Sequence, residues 1–381
     1  MLQYLVKDEF LLFMKPTIFS LLFIMLSTAA ECQTIQRIDS LLTTIYSDSK
    51  PGASVAIVED DKTLFKKNFG VSNIETGEKI SSSTNFNICS LTKQFTALSI
   101  LQLAEKNKLS LTDKLSHFFP EINKNMADAI TVKDLLTHSS GIPDHYDYTD
   151  TKNMRHAHDS DVLNAIKNAD TLYFKPGSKF QYSNTAFCLL ALIIEKTSGL
   201  NYSDYLKRNI FQPAGMKHTT VWNEQAKIFS PAFGYSWDSA QNKFIQSGPD
   251  EHVFFSTEGD GGIYTSVDDY LKWFAALQND KIFSRKIINE ARSIEFTIDA
   301  GKKLGYGYGW FIDESTTPKK VYHSGSNGGF RTFSFTIPKE NFLIVIFSNR
   351  DDIDIEEVVL KMIQILKPTD KPFTKIEVLT S

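Results

Sequence analysis

Two β-hairpin patterns, one near each end of the chain, constrain the fold more than any other feature of the sequence. At the N-terminal side, GASVAIVED and TLFKKNFGV are strand-like runs around the polar turn Asp60–Lys62. At the C-terminal side, GFRTFSFTI and FLIVIFSNR flank PKEN. Between them, from Ser90 to about Met216, helical patterns dominate. TVKDLLTH opens with Thr131 placed to cap and Asp134 three residues on. TAFCLLALIIEKTSG is apolar nearly all round, which predicts a buried helix stopped at Gly199. A further helix is expected from Ser266, with Asp269 as its capping partner. Helical periodicity also marks Thr34–Ile45 and roughly Ile355–Leu366. Strands at both ends with helices between predict an α+β fold. Its antiparallel sheet is drawn from both chain ends and covered by helices, beside a central, mostly helical lobe. The cleft between the two is the expected site.

The 381 residues carry 42% hydrophobic and 23% charged side chains, and the formal net charge is −4. These values suit a globular protein and leave no basic footprint for nucleic acid. Residues 1–30 read as a secretory signal with a start that fits Met14 better than Met1. Lys15 supplies the charge, Ile18–Leu26 the apolar stretch, and Ser27 to Ala30 the small residues before cleavage. The protein is therefore expected to be exported, periplasmic or secreted. Lipid anchoring through Cys32 is disfavoured because Glu31, not a small residue, precedes it. Three cysteines make no disulfide framework, and neither CxxC nor HExxH occurs, so no metal or other cofactor is assigned.

Chemistry enters at FNICSLTKQFTAL, where Ser90 and Lys93 stand three residues apart. That spacing puts both on one face of a helix. A serine opening the helix has its own N–H in the positively polarised first turn, and a buried lysine is driven toward the neutral form a base requires. The pair taken alone is equally a capping serine and a surface lysine, and a second SxxK, Ser47–Lys50 in a polar turn, carries no such context. Two later motifs bear on the choice. Tyr182-Ser183-Asn184 offers a phenol and an amide to one side of a loop, or else a packed tyrosine and a cap. His323-Ser324-Gly325 precedes the expected strand Phe330–Ile337; a strand there presents backbone N–H groups, and glycine permits close approach.

In that order, SxxK, YxN and HxG, the chain resembles the serine β-lactamase and penicillin-binding protein superfamily, in its class C β-lactamase-like branch. LLTHSSGIP, PGSKFQYSN, IFQPAGMKHT, GGIYTSVDD and GYGYGW extend the resemblance over nearly the whole chain after the signal. The resemblance implies one hydrolase domain over 33–370, with an α/β lobe (about 33–100 and 225–370), a helical lobe (about 101–224) and a tail, 371–381. It implies a cofactor-free serine hydrolase working through an acyl-Ser90 ester. Lys93 and Tyr182 would move the proton, and the N–H groups of Ser90 and Ser326 would hold the oxyanion. Asn184 would hold Lys93 and the substrate, and His323 and Gly325 would line the acyl pocket. The substrate would be a small molecule or short peptide, of a kind found in cell walls. Class C β-lactamases carry lysine where this chain has His323, which favours a DD-carboxypeptidase-like peptidase or an esterase. The alternatives are a true β-lactamase and a non-catalytic binder of penicillin or peptidoglycan fragments. Cys89, where relatives usually have glycine or alanine, is expected to be buried and inert, and His138 a structural hydrogen-bonding residue. The polar, aromatic segment between Ile142 and Asp170 is expected to rim the cleft.

Overall fold

The computed structural model describes residues 32–149, 154–167, 169–247 and 253–368. The expected signal, the tail and parts of the expected rim segment lie outside the described residues. An eight-stranded antiparallel sheet forms the backbone of the fold. Its spatial order is Lys62–Phe69, Ala53–Glu59, Phe342–Ser348, Phe330–Ile337, Lys320–Asn327, Phe311–Asp313, Leu304–Tyr306, Phe296–Asp299. The two expected hairpins are thus neighbours, joined where Ala53 faces Ser348 and Val58 faces Leu343. The first hairpin turns through Asp60 and Asp61, both at positive φ, as the twist of a two-residue connection requires.

Alternation along the strands sorts side chains to two faces. Leu343, Val345 and Phe347 join Ala56 and Val58 on one face, against the helix Thr92–Glu105 and the helical lobe. Phe342, Ile344 and Ile346 join Val55 and Ile57 on the other. That second face is covered by Ile38 and Leu42, from a helix described over 32–45, and by Val359 and Met362, from the helix Ile355–Leu366. Both helices bear the apolar stripe expected of them, and each fully buried Ile or Val contributes roughly 1.5–3 kcal/mol.

The expected helix ends are present. Thr131 and Asp134 form a reciprocal capping box on Val132–Leu136. Ser183 caps Asn184–Ser198, which stops at Gly199 in the left-handed conformation (φ 73°). Ser266 caps Val267–Ala276, but the Asp269 carboxylate is turned away, accepting from the His218 amide and the Thr219 hydroxyl. Asp269 is therefore a tie to a neighbouring loop rather than a reciprocal cap.

Cys89 and Cys188 are buried and unbridged, whereas Cys32 is exposed. A thiol reagent is expected to titrate one cysteine in the native chain and three after unfolding. Two or more fast-reacting native thiols would contradict this packing.

Candidate active site

Ser90 sits in a single 3-10 turn, Cys89–Leu91, that runs directly into the helix Thr92–Glu105. Cys89 enters the turn at φ 51°, a left-handed backbone uncommon outside glycine. Its amide donates to Asn87 Oδ1 at 2.7 Å, which holds the turn from behind. Burial pushes the Cys89 thiol up to about 12, so it stays protonated and poorly nucleophilic, as the sequence suggested.

The helix is buried from Thr92 to Leu103, and Lys93 within it is completely inaccessible. Its Nζ reaches Ser90 Oγ at 3.1 Å, Asn184 Oδ1 at 2.9 Å and the Asp260 carbonyl at 2.9 Å. An ammonium donates to all three. A neutral amine keeps two N–H donors for the two carbonyl-type oxygens and turns its lone pair to the serine hydroxyl. The geometry therefore lets a proton pass between Ser90 and Lys93 without moving either. Ser47 and Lys50, by contrast, are exposed before Pro51.

Tyr182 stands next to this pair, with Lys93 Nζ 4.8 Å from its ring centroid. Its hydroxyl is buried and has no hydrogen-bond partner among the described residues. Asn184, the first residue of its helix, also lies against the Tyr146 hydroxyl, so the expected rim segment does reach the site. Ser183 supplies the cap, which leaves the Asn184 side chain free to face Lys93.

The third motif lies on the strand Lys320–Asn327, paired with Phe330–Ile337 through His323 opposite Ser334. Gly325 lets that strand close on the nucleophile turn. A Cβ there would stand 2.8 Å from the Ile88 carbonyl and 2.9 Å from Cys89 Cβ. Ser326, one residue on, is exposed at the strand's end. His323 is only 2% exposed, and both ring nitrogens are engaged. Nδ1 lies 2.6 Å from the Ser324 carbonyl and must donate, so Nε2 accepts from the Tyr306 hydroxyl at 3.1 Å. Burial, aided by the Lys93 charge, pushes the imidazole down to about 3. His323 lies 6.1 Å ring to ring from Tyr182 as a neutral, internally satisfied side chain.

This has a consequence for stability. Unfolded histidine takes up a proton near pH 6.5, but folded His323 does so only near pH 3, so between these values the unfolded chain binds more protons. The His323 contribution is intact above pH 6.5 and is lost as pH falls toward 3. His323→Asn is expected to remove up to about 1.4 kcal/mol per pH unit from the acid slope of unfolding free energy. Identical slopes in urea melts from pH 4 to 6 would refute it.

One grouping among the described residues has donor atoms close enough to chelate an ion: Asp159, Cys188 and Asp260, all buried and within 4.8 Å of one another. Its donors are already occupied within the protein. Asp159 accepts from the Glu258 and Gly259 amides at 3.0 Å each, and Cys188 Sγ lies 3.5 Å from Asp260 Oδ1. Burial, then the neighbouring carboxylates, raises the Cys188 thiol well above its ordinary value. The grouping braces the turn that offers the Asp260 carbonyl to Lys93. Sequence reading missed Asp260 because a backbone carbonyl carries no residue-type signature; the run Gly259-Asp260-Gly261-Gly262 was the available signal.

Comparison with known proteins bears on the family and the fold. The profile of the family described as Beta-lactamase matches residues 35–359. Penicillin-binding protein 4* of Bacillus subtilis (strain 168) is 30% identical over 343 residues, covering 86% of this chain and 74% of that one. Protein flp of Staphylococcus aureus (strain MW2) is 30% identical over 319 residues, 82% of this chain but only 63% of the longer relative. Among solved structures, the octameric penicillin-binding protein homologue from Pyrococcus abyssi is 27% identical with a TM-score of 0.74. That match covers 88% of this chain and 76% of the other.

Proposed function

The chain belongs to the Beta-lactamase family, within the serine β-lactamase and penicillin-binding protein superfamily, and on that premise we propose that it is an exported serine hydrolase acting through an acyl-Ser90 intermediate. The observation that carries this reading is the buried Lys93 amine, 3.1 Å from Ser90 Oγ and fixed by Asn184 and the Asp260 carbonyl. Ser90 attacks an ester or amide carbonyl while Lys93 takes its proton, and Tyr182 passes a proton to the leaving group. The N–H groups of Ser90 and Ser326 receive the developing oxyanion, each such donor being worth about 3 kcal/mol. Water then enters on the same path and releases the acid. Export rests on the charge and hydropathy pattern of residues 14–30 alone.

The substrate class follows from His323. A lysine at this position would offer a cation to a substrate carboxylate; a neutral imidazole with both nitrogens engaged does not. This favours ester hydrolysis over efficient β-lactam turnover; a D-Ala–D-Ala peptide ends in a carboxylate as well, so DD-carboxypeptidase-like cleavage needs a carboxylate partner other than His323. The test is a panel of a D-Ala–D-Ala peptide, an ordinary peptide, a β-lactam and a simple ester, run on wild type and Ser90→Ala. Turnover of the ester or D-Ala–D-Ala peptide by wild type, absent from Ser90→Ala, is the expected result; equal activity of the two proteins on every substrate would sink the mechanism. A fluorescent-penicillin adduct on the Ser90 peptide without turnover of any substrate would make the protein a binder.

A further inference from the structure

His138 grips Tyr182 from three directions. Its backbone carbonyl accepts from the Gln181 amide at 2.9 Å, and its ring Nδ1 accepts from the Ser183 amide at 3.0 Å. Its imidazole lies on the Tyr182 ring with centroids 4.3 Å apart and planes 28° from parallel. The residues before and after the tyrosine, and the tyrosine's own face, are thus all held by one residue more than forty positions earlier in the chain.

The sequence pays a visible price for this grip. His138 is at φ 54°, in the left-handed region that a histidine enters at a cost. It is completely buried, and because Nδ1 accepts, the neutral ring carries its proton on Nε2. That N–H has no hydrogen-bond partner among the described residues. Phe187 and Tyr306 close round the ring at 5.0 and 4.7 Å. Burial, then the Lys93 charge and His323, keeps it neutral, so it acts by position and not by charge. Tyr182 in turn presents its face to Lys93 Nζ.

We infer that His138 is a positioning residue for acyl transfer, fixing the Tyr182 hydroxyl relative to Lys93 and Ser90 through the amides on either side of the tyrosine and through its ring. The inference rests on the proposed role of Tyr182 as the group that returns a proton to the leaving group.

The test compares two esters of one acyl group, an alkyl ester whose leaving group must be protonated and a 4-nitrophenyl ester whose leaving group need not be. Tyr182→Phe calibrates it, and is expected to lose far more activity on the alkyl ester. His138→Leu, which removes both the acceptor and the ring, is expected to reproduce that selectivity. The expected loss in kcat/KM, which reports the acylation step and not the deacylation common to both esters, is about 10²-fold on the alkyl ester and about tenfold or less on the nitrophenyl ester. His138→Asn tolerates positive φ and can accept from the Ser183 amide, so it is expected to recover about half of the logarithmic loss. A protein merely less well folded would lose both esters equally. If Tyr182→Phe shows no selectivity, the reading of Tyr182 fails. If it does, and folded His138→Leu loses both esters alike or neither, the His138 inference is overturned. Should His138→Leu not fold, His138→Asn decides: wild-type activity on the alkyl ester overturns the inference, and a selective loss supports it.

Discussion

Lys93→Met is expected to lower kcat about 10³-fold while moving the melting temperature by only a few degrees. The catalytic loss follows from removing the amine that, among the described residues, reaches Ser90 Oγ, since a positioned general base contributes about 10²–10⁴-fold. The stability term is a near cancellation. Lys93 is fully buried, and its three partners are a hydroxyl, an amide oxygen and a carbonyl, none of them charged. Taking a polar amine out of that environment relieves the cost of burying it away from water. Against this stand three lost hydrogen bonds, each worth about 0.5–1.5 kcal/mol. Methionine fills nearly the same length of apolar channel. Steady-state kinetics and thermal unfolding on the same preparation separate the two effects; activity lost together with a collapse in melting temperature would make Lys93 a scaffold residue.

Gly325→Ala should strike stability and catalysis together. Its new Cβ would stand 2.4 Å from Thr332 Oγ1, 2.8 Å from the Ile88 carbonyl and 2.9 Å from Cys89 Cβ. The threonine cannot simply swing away, because its hydroxyl donates to that same Ile88 carbonyl at 2.9 Å. The backbone carbonyl has no rotamer to change at all. The strand Lys320–Asn327 must therefore draw back from the turn that carries Ser90. Overpacking of this kind costs about 1–3 kcal/mol, and a shift near 1 Å at reacting groups costs about 10²-fold in rate. A variant with wild-type melting temperature and kcat would show that the strand and the nucleophile turn are less tightly joined than their geometry says.

Much of this architecture is legible in the residues, for reasons that differ by element. The two hairpins are short apolar, β-branched and aromatic runs broken by polar turns, and the helices Val132–Leu136, Asn184–Ser198 and Ile355–Leu366 announce their starts by capping side chains. The short strands Phe296–Asp299, Leu304–Tyr306 and Phe311–Asp313 do not. At three or four residues, interrupted by the glycines of GYGYGW, they have no period to read and exist only because a neighbouring strand supplies their hydrogen bonds. Within the site, the polar side chains Ser90, Lys93 and Asn184 are recoverable from motif spacing and do meet. The Asp260 carbonyl is not, because every residue has one. Nor is the tie from Tyr306 to His323, or the hold of His138 on Tyr182: each depends on a ring orientation fixed by packing across distant segments.

The pairing of Ala53 with Ser348 has a bearing on the order of events during folding. Nearly three hundred residues separate the two strands, and the last strand, Phe342–Ser348, is not an edge but lies between Ala53–Glu59 and Phe330–Ile337. The first hairpin therefore has no sheet to join until the end of the domain has been synthesised. Contacts so distant in sequence close slowly, because the loop entropy is lost before the pairing returns it. Ser90 and His323 lie within that loop, so the nascent chain should be catalytically silent, and open to proteases, until its final strand slots into the middle.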